Sequence, residues 1–338
     1  MFGQFNLLGS KLLANLILSV TAICFSLGLA ELIASSFIDK LGENHLPPIY
    51  VSDTKTGYAL KSNVGAQLQI QGGSTTTITT GSEQQRCNLL RQCDSKISRI
   101  SAFGDSYTFG WGVDDDATWP ALYEKISGVS ITNFGVGGYN LEKTHLNIQK
   151  RNKSGFLAQN IIIGISYNDL EEGSDVHDKQ VINGFLVRSG TEHLITIRDN
   201  PIINRTHIGA LLFKALTPIS NQENKDLIEN SHQSLKELIS SSILAERDVV
   251  LLFFNTPSHI KQIADNNFSN EKLGTFYPKN YESLEKLAFK HGFNLIDTTN
   301  LLVNAYRKKP EHNHLFVEND NHYNYRANMI IAKHLNEL

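Results

Sequence analysis

Long basic runs are missing from this chain. Its 31 Lys and Arg stand against 34 Asp and Glu, for a net charge of -3 with no Lys/Arg block or stripe. That excludes the electrostatic footprint a nucleic-acid-binding protein needs. Internal repeats are absent, and low complexity is confined to the Thr-rich run Ser74 to Thr80. No Gly-Lys-Ser/Thr occurs, so a phosphate loop is excluded. Cysteine is scarce, with three residues in 338. Cys24 falls in an apolar run, leaving Cys87 and Cys93 as the only pair beyond it: either a disulfide closing a short loop or two reduced surface thiols. What the chain does have is 41% hydrophobic residues, enough for one good-sized core and extra segments.

The apolar surplus begins at once. Leu12 to Ala30 carries no charge, and apolar residues continue past Glu31 to Ile38. As a helix those 19 residues would span about 28 Å, close to bilayer hydrocarbon thickness. Lys11 and the amino terminus precede the run while Glu31 and Asp39 follow it, so the positive-inside bias puts the N-terminus in the cytoplasm. A cleaved signal peptide is the competing reading, with Gly28 and Ala30 as small residues before a cut after Ala30. The apolar stretch is long for that role, and an uncleaved anchor is preferred. Either way the rest of the chain is expected outside the cytoplasm, periplasmic or at the cell surface.

The expected organisation is an anchor at 1–40, a juxtamembrane linker and small extended region at 41–96, and a catalytic domain at 97–338 with an insertion at about 171–220. Gln67 to Gln71 alternates as a short edge strand does. From Ile97 the texture changes to apolar strands alternating with helical patterns. Strands are expected at Ile97–Phe103, Val129–Phe134, Asn160–Ser166, Val249–Asn255 and Phe293–Asp297. Helices are expected near 118–126, 141–150, 221–246, 281–290 and 326–337. This rhythm predicts an α/β domain of three α/β/α layers around a parallel sheet, with ligands bound beyond the carboxyl ends of the strands. Between Leu170 and Ser220 the rhythm breaks. Phe185 to Ile197, centred on Ser189-Gly190, reads as a hairpin, either a substrate-shaping flap or a structural embellishment.

Chemistry-bearing residues gather at the strand ends. Gly104-Asp105-Ser106 follows the first core strand, where a serine at a strand-to-helix turn can aim its hydroxyl and its own N–H into a cleft. It is not the Gly-x-Ser-x-Gly elbow, because Thr108 stands at the second glycine. Asn133-Phe134-Gly135-Val136-Gly137-Gly138 follows the second strand, lacks the third glycine of a dinucleotide loop, and can offer a backbone N–H to the space above Ser106. Tyr167-Asn168-Asp169 follows the third strand, with Asn168 either an oxyanion donor or a helix cap. Asp320-Asn321-His322 precedes the last helix and suits a base with its orienting carboxylate. Glu311-His312-Asn313-His314 lacks obvious third and fourth ligands, so no metal and no cofactor are expected.

With FGDSYTFGWGV, Thr118-Trp119-Pro120, NFGVGG, Tyr167-Asn168-Asp169-Leu170 and DNHYN in that order, the chain from Ile97 to Leu338 resembles the SGNH/GDSL hydrolases. The resemblance implies that family's flavodoxin-like three-layer fold, with Ser106 as nucleophile, His322 as base and Asp320 as its orienter. It implies an oxyanion hole of the Ser106 N–H, the Gly138 N–H (Gly137 competing) and the Asn168 side chain. Two positions depart from the family pattern. Ser166 replaces the glycine of Gly-x-Asn-Asp, and Asn319 occupies the usual acid position three residues before His322.

The function implied is that of a serine esterase removing or transferring an acyl group through an acyl-serine. Location and family analogy suggest O-acetyl on an envelope glycan, with an acylated carbohydrate or lipid ester as substrate and the membrane as partner. The rival is a catalytically idle glycan-binding or polysaccharide-assembly protein that keeps the fold.

Overall fold

The computed structural model describes residues 2–36, 49–69, 75–88, 93, 98–171, 179–182, 185–188, 206–216, 225–266, 274–308, 314–317 and 320–338. These fall in two compact units, one of residues 1–43 with 191–219 and one of 44–190 with 220–338. The units cut the chain differently from the sequence reading. The 171–220 insertion is shared between them, and the expected boundary at 96 falls inside the larger one.

In the smaller unit, α1 (Phe2–Ser35) contains an apolar stretch of 24 residues, Leu12–Ser35, with a mean hydropathy of 2.2 and the length and composition of a membrane span.

The larger unit opens with two antiparallel hairpins, β1 (Tyr50–Asp53) with β2 (Gly57–Leu60) and β3 (Gly65–Gln69) with β4 (Thr75–Thr79). Their apolar faces (Tyr50, Tyr58, Leu60, Leu68, Ile78) share a buried cluster with Phe109, Val136 and Tyr139. The region expected as a linker therefore packs directly on the loops that carry the candidate chemistry. Cys87 and Cys93 are joined as a disulfide, with Cα atoms 5.0 Å apart.

The core is a five-stranded parallel sheet of β5 (Ile100–Phe103), β6 (Ile131–Asn133), β7 (Asn160–Ser166), β10 (Asp248–Phe254) and β11 (Asn294–Asp297). Between β7 and β10 the chain forms the hairpin β8 (Lys179–Ile182) and β9 (Phe185–Arg188). The sheet order is β11-β10-β7-β5-β6. The chain leaves β5 to one side for β6 and returns to the other for β7, so the topological switch point lies beside β5, where open α/β sheets bind ligands.

Strand side chains alternate between two cores. Ile100, Ala102, Ile162, Leu252 and Phe254 face one layer, and Phe103, Ile161, Ile163, Leu251 and Phe253 the other. The helices used below are α2 (Ser106–Phe109), α3 (Trp119–Ser127), α4 (Leu141–Ser154), α5 (Tyr167–Glu171), α6 (His207–Leu216), α7 (Lys225–Ile239), α8 (Pro257–Asp265), α9 (Tyr281–His291), α10 (Thr299–Lys308) and α11 (Tyr325–Glu337). The first core takes α3, α8, α10 and α11, and the second takes α4, α7 and α9. This is the expected three-layer α/β/α architecture.

Some elements went unforeseen. Helices α8 and α10 were not read from the sequence, although Thr256 before Pro257 is a capping signal: its hydroxyl accepts from the His259 N–H at 3.2 Å. The hairpin of the insertion is shifted. Ile182 pairs with Phe185, so Asn183-Gly184 connects its strands. That pair is the strongest short hairpin signal. Ser189-Gly190, expected at the centre, lies outside the described residues.

Candidate active site

Gly104 makes the first turn possible. Its φ is +145°, and a Cβ there would come within 2.5 Å of the Thr108 hydroxyl and 2.7 Å of the Gly164 carbonyl. Only glycine fits. The chain can then turn out of β5 into α2, whose first residue is Ser106. Asp105 caps that helix, accepting from the Tyr107 N–H at 2.9 Å.

Ser106 Oγ lies 2.8 Å from His322 Nε2, and His322 Nδ1 is in short contact with Asp320 Oδ1. Ser106 and His322 are 216 residues apart in sequence, so the fold alone brings them together. Several bonds hold the loop that carries the base. The Tyr107 hydroxyl donates to the Asn321 carbonyl at 2.8 Å, Val317 N donates to the His322 carbonyl at 2.9 Å, and Asn324 caps α11 by accepting from Arg326 N at 2.8 Å. The Tyr323 hydroxyl is tied to the Asn255 carbonyl at the end of β10. Rings of Tyr107 and Trp111 flank His322, with centroids 5.2 and 6.3 Å away. Asn319, at the usual acid position, lies outside the described residues, as do Glu311, His312 and Asn313.

The second turn carries Gly137 and Gly138. The Tyr58 hydroxyl donates to the Gly138 carbonyl at 2.6 Å and approaches the Gly137 carbonyl at 3.4 Å. A trans peptide sets C=O and N–H on opposite sides, so the Gly138 N–H points away from Tyr58. Gly138 takes φ +78°, which favours glycine, and its surface is exposed while Gly137 is buried. Lys179 of β8 and Leu186 of β9 lie against it. Val181 and Leu186 pack on the cluster that contains Tyr58 and Trp111. The hairpin β8–β9 thus borders this turn.

The third turn holds a buried polar group that the sequence did not reveal. Ser166, fully buried, has its Oγ 2.7 Å from Asn168 Oδ1, 2.9 Å from Asp105 Oδ2 and 3.0 Å from Asp169 Oδ2. One hydroxyl has one proton to give. Facing three oxygens, it is satisfied only when one neighbour donates to it. Burial pushes the Asp105 carboxyl up, against the hydrogen bonds that favour its charged form. Three oxygens thus compete for the single Ser166 proton. Ser166 donates to Asn168 Oδ1, its shortest contact, and the Asn168 amide N–H₂ is turned to the opposite side. The residue that departs from the family pattern is thus wired to Asn168.

A buried arginine secures the loop after α2. Arg86 is 1% exposed. Its Nε meets Asp115 Oδ1 at 3.0 Å, and its other nitrogens donate to the carbonyls of Phe109 (2.8 Å), Gly110, Val113 (2.6 Å) and Thr77 (3.2 Å). Four carbonyls of non-adjacent segments converge on one guanidinium, which fixes the path of residues 109–113 beside His322. Nothing in the sequence around Arg86 signalled this role, because its partners from Phe109 to Asp115 are distant in the chain.

No family model matches the sequence, and no curated protein matches it. Among solved structures, the chain is similar to a protein described as lipolytic and of the G-D-S-L family from Desulfitobacterium hafniense. There the identity is 13%, the match covers 71% of this chain and 98% of that one, and the TM-score is 0.41. It is similar to a member of the lipolytic G-D-S-L family from Veillonella parvula, at 17% identity, 71% and 96% coverage and a TM-score of 0.38. It is also similar to a catalytic mutant of an acetylxylan esterase from Geobacillus stearothermophilus, at 11% identity, 70% and 92% coverage and a TM-score of 0.39. At such identities and scores no property of those proteins transfers to this chain.

Among the described residues, no group of three or more His, Cys, Asp and Glu side chains gathers as a metal site. The side chains that the fold brings into one contact chain are a hydroxyl, an imidazole and a carboxylate.

Proposed function

We propose that the protein is a serine ester hydrolase of the SGNH/GDSL type, with Ser106, His322 and Asp320 as its triad. The observation that carries this reading is the contact sequence Asp320–His322–Ser106, with 2.8 Å between imidazole and hydroxyl. His322 Nε2 takes the Ser106 proton as Oγ bonds to the ester carbonyl carbon and the carbonyl electron pair moves onto oxygen. The oxyanion is met by the N–H groups of Ser106 and Gly138 and by the Asn168 amide. The intermediate collapses, the C–O bond to the leaving alcohol breaks, and the alcohol takes the proton from His322. A water molecule, or a sugar hydroxyl in a transfer reaction, then removes the acyl group by the same steps in reverse. Asp320 keeps Nδ1 as the donor nitrogen and stabilises the imidazolium that forms twice in each cycle.

O-acetyl groups on an envelope glycan are the proposed substrate. The support is the small acyl-transfer set at the site together with an N-terminal helix of membrane-spanning length, which would hold the catalytic unit at the outer face of the membrane. The test is acetate release from O-acetylated polysaccharides by the full chain in detergent, compared with Ser106→Ala. Release by the wild type alone supports the assignment. Equal release by both, or none from any acetylated glycan or small acetyl ester, removes it.

A further inference from the structure

Helix α6 has no part in the chemistry above. It belongs with α1 to the smaller unit, and the two are joined by a specific contact. Glu31 is the one charged residue between Leu12 and Ser35. Its Oε1 accepts from the His207 N–H at 2.7 Å and lies 2.9 Å from His207 Nδ1, and its Oε2 accepts from the Ile208 N–H at 3.0 Å. These are N–H groups that the first turn of a helix cannot satisfy internally, and the helix dipole favours an anion there. The carboxylate of α1 is thus the cap of α6.

Burial shows where the two helices meet. Every residue from Leu12 to Ala30 is exposed, Glu31 is half-buried, and Ala34, one turn further on, is buried. Helix α6 therefore crosses the C-terminal end of α1 and leaves the apolar run uncovered. Its own apolar residues Ile208, Leu211, Leu212 and Leu216 recur at spacings of three and four, and Leu211 and Leu212 are 51% and 48% exposed. The 24-residue run of α1 is about 36 Å long, enough to cross a hydrocarbon core of about 30 Å. The end that α6 joins is then at the membrane boundary. Ten residues are too few for α6 to cross the bilayer, but suit a helix lying in its surface layer.

We propose that α6 is an interfacial helix, seated in the surface of the same bilayer that α1 crosses, with Leu211 and Leu212 among the lipid chains. The occupant of its apolar face is lipid because that face is continuous, through the Glu31 cap, with a helix whose surface only hydrocarbon covers. The active-site hairpin and α6 lie in one insertion of the chain, so this contact is a second attachment besides α1. The inference rests on reading α1 as an uncleaved anchor.

The test uses the full chain with Cys24→Ser, reconstituted in phosphatidylcholine/phosphatidylglycerol vesicles. Single cysteines at Leu18→Cys, Leu211→Cys and Leu212→Cys carry a nitroxide, and collision rates with oxygen and with a water-soluble nickel complex are compared. Cys87 and Cys93 are bridged and do not label. Oxygen collisions dominating at 211 or 212, and more strongly at 18, are expected. Lipid-like values at 18 with water-like values at both 211 and 212 overturn the interfacial helix and leave the anchor standing. Water-like values at all three overturn the anchor itself.

Discussion

Replacing Ser166 by alanine should slow the enzyme although Ser166 touches neither the triad nor the substrate. The change removes the 2.7 Å bond to Asn168 Oδ1 and the 2.9 Å contact with Asp105 Oδ2 inside a fully buried pocket. Removing one partner of a buried hydrogen bond costs about 1–3 kcal/mol, so a stability loss of about 2 kcal/mol is expected. The effect on rate comes through Asn168. Its amide keeps its atoms but loses the bond that selects one orientation of a broad, two-fold torsion. A preference of about 1.4 kcal/mol, one hydrogen bond, corresponds to a tenfold fall in kcat. Removing the donor outright with Asn168→Ala is worth about 10²–10³. The decisive assay is p-nitrophenyl acetate hydrolysis by both single variants and the double variant. Because Ser166 acts through Asn168, the double variant should match Asn168→Ala alone, with KM little changed. Additive losses, or Ser166→Ala at the wild-type rate, refute the reasoning.

Other consequences follow from the same contacts. Burial disfavours the charged form of Asp105, so Asp105→Asn, which can still accept from the Tyr107 N–H, should keep activity within a few-fold, while Asp105→Ala loses most of it. Because its folded pKa is raised, the native state binds the extra proton, and stability from this group falls as pH rises from about 4 through the folded value. Urea midpoints of Asp105→Asn should lack that decline; equal slopes in both proteins would contradict it. Asp320→Asn should leave a residue of activity on the order of 10⁻⁴ of wild type, since only the orientation and charge of His322 are lost, and Asn319→Ala should be nearly silent. Wild-type rates for Asp320→Asn would move the acid elsewhere. Arg86→Met strands the buried carboxylate of Asp115 and should cost on the order of 3–5 kcal/mol in denaturant unfolding, against under 1 kcal/mol if the pair contributes nothing.

The parts of the fold legible in the sequence were those with strong local signals. Asn160–Ser166 reads as a buried strand because it is apolar on both faces, and the sheet leaves it that way. Ser106, Asn168, Asp320 and His322 stand out in the sequence because each lies just after a strand or before a helix, and the fold brings the serine, the histidine and Asp320 into one contact chain. The rest depended on distant partners. Residues 49–88 look like a linker until Tyr58 meets the Gly137–Gly138 turn and Arg86 gathers the carbonyls of Phe109, Gly110 and Val113 at the end of α2. Ser166 looked like a weakened glycine position, and only the proximity of Asp105 turns it into a positioning group. Helices α8 and α10 were missed despite a capping threonine ahead of α8. Strand β8 was missed because Asn183-Gly184 was passed over for Ser189-Gly190.

The central claim is that Ser106 is an activated nucleophile, and covalent labelling tests it most directly. A fluorophosphonate reacts with a serine whose neighbouring base has raised its nucleophilicity, and leaves ordinary serines untouched. Treating the full chain in detergent and mapping the adduct by peptide mass should give a single phosphonylated residue, Ser106, with labelling lost in His322→Ala. No adduct on the folded wild-type protein, or an adduct at another serine that persists in Ser106→Ala, would contradict the account.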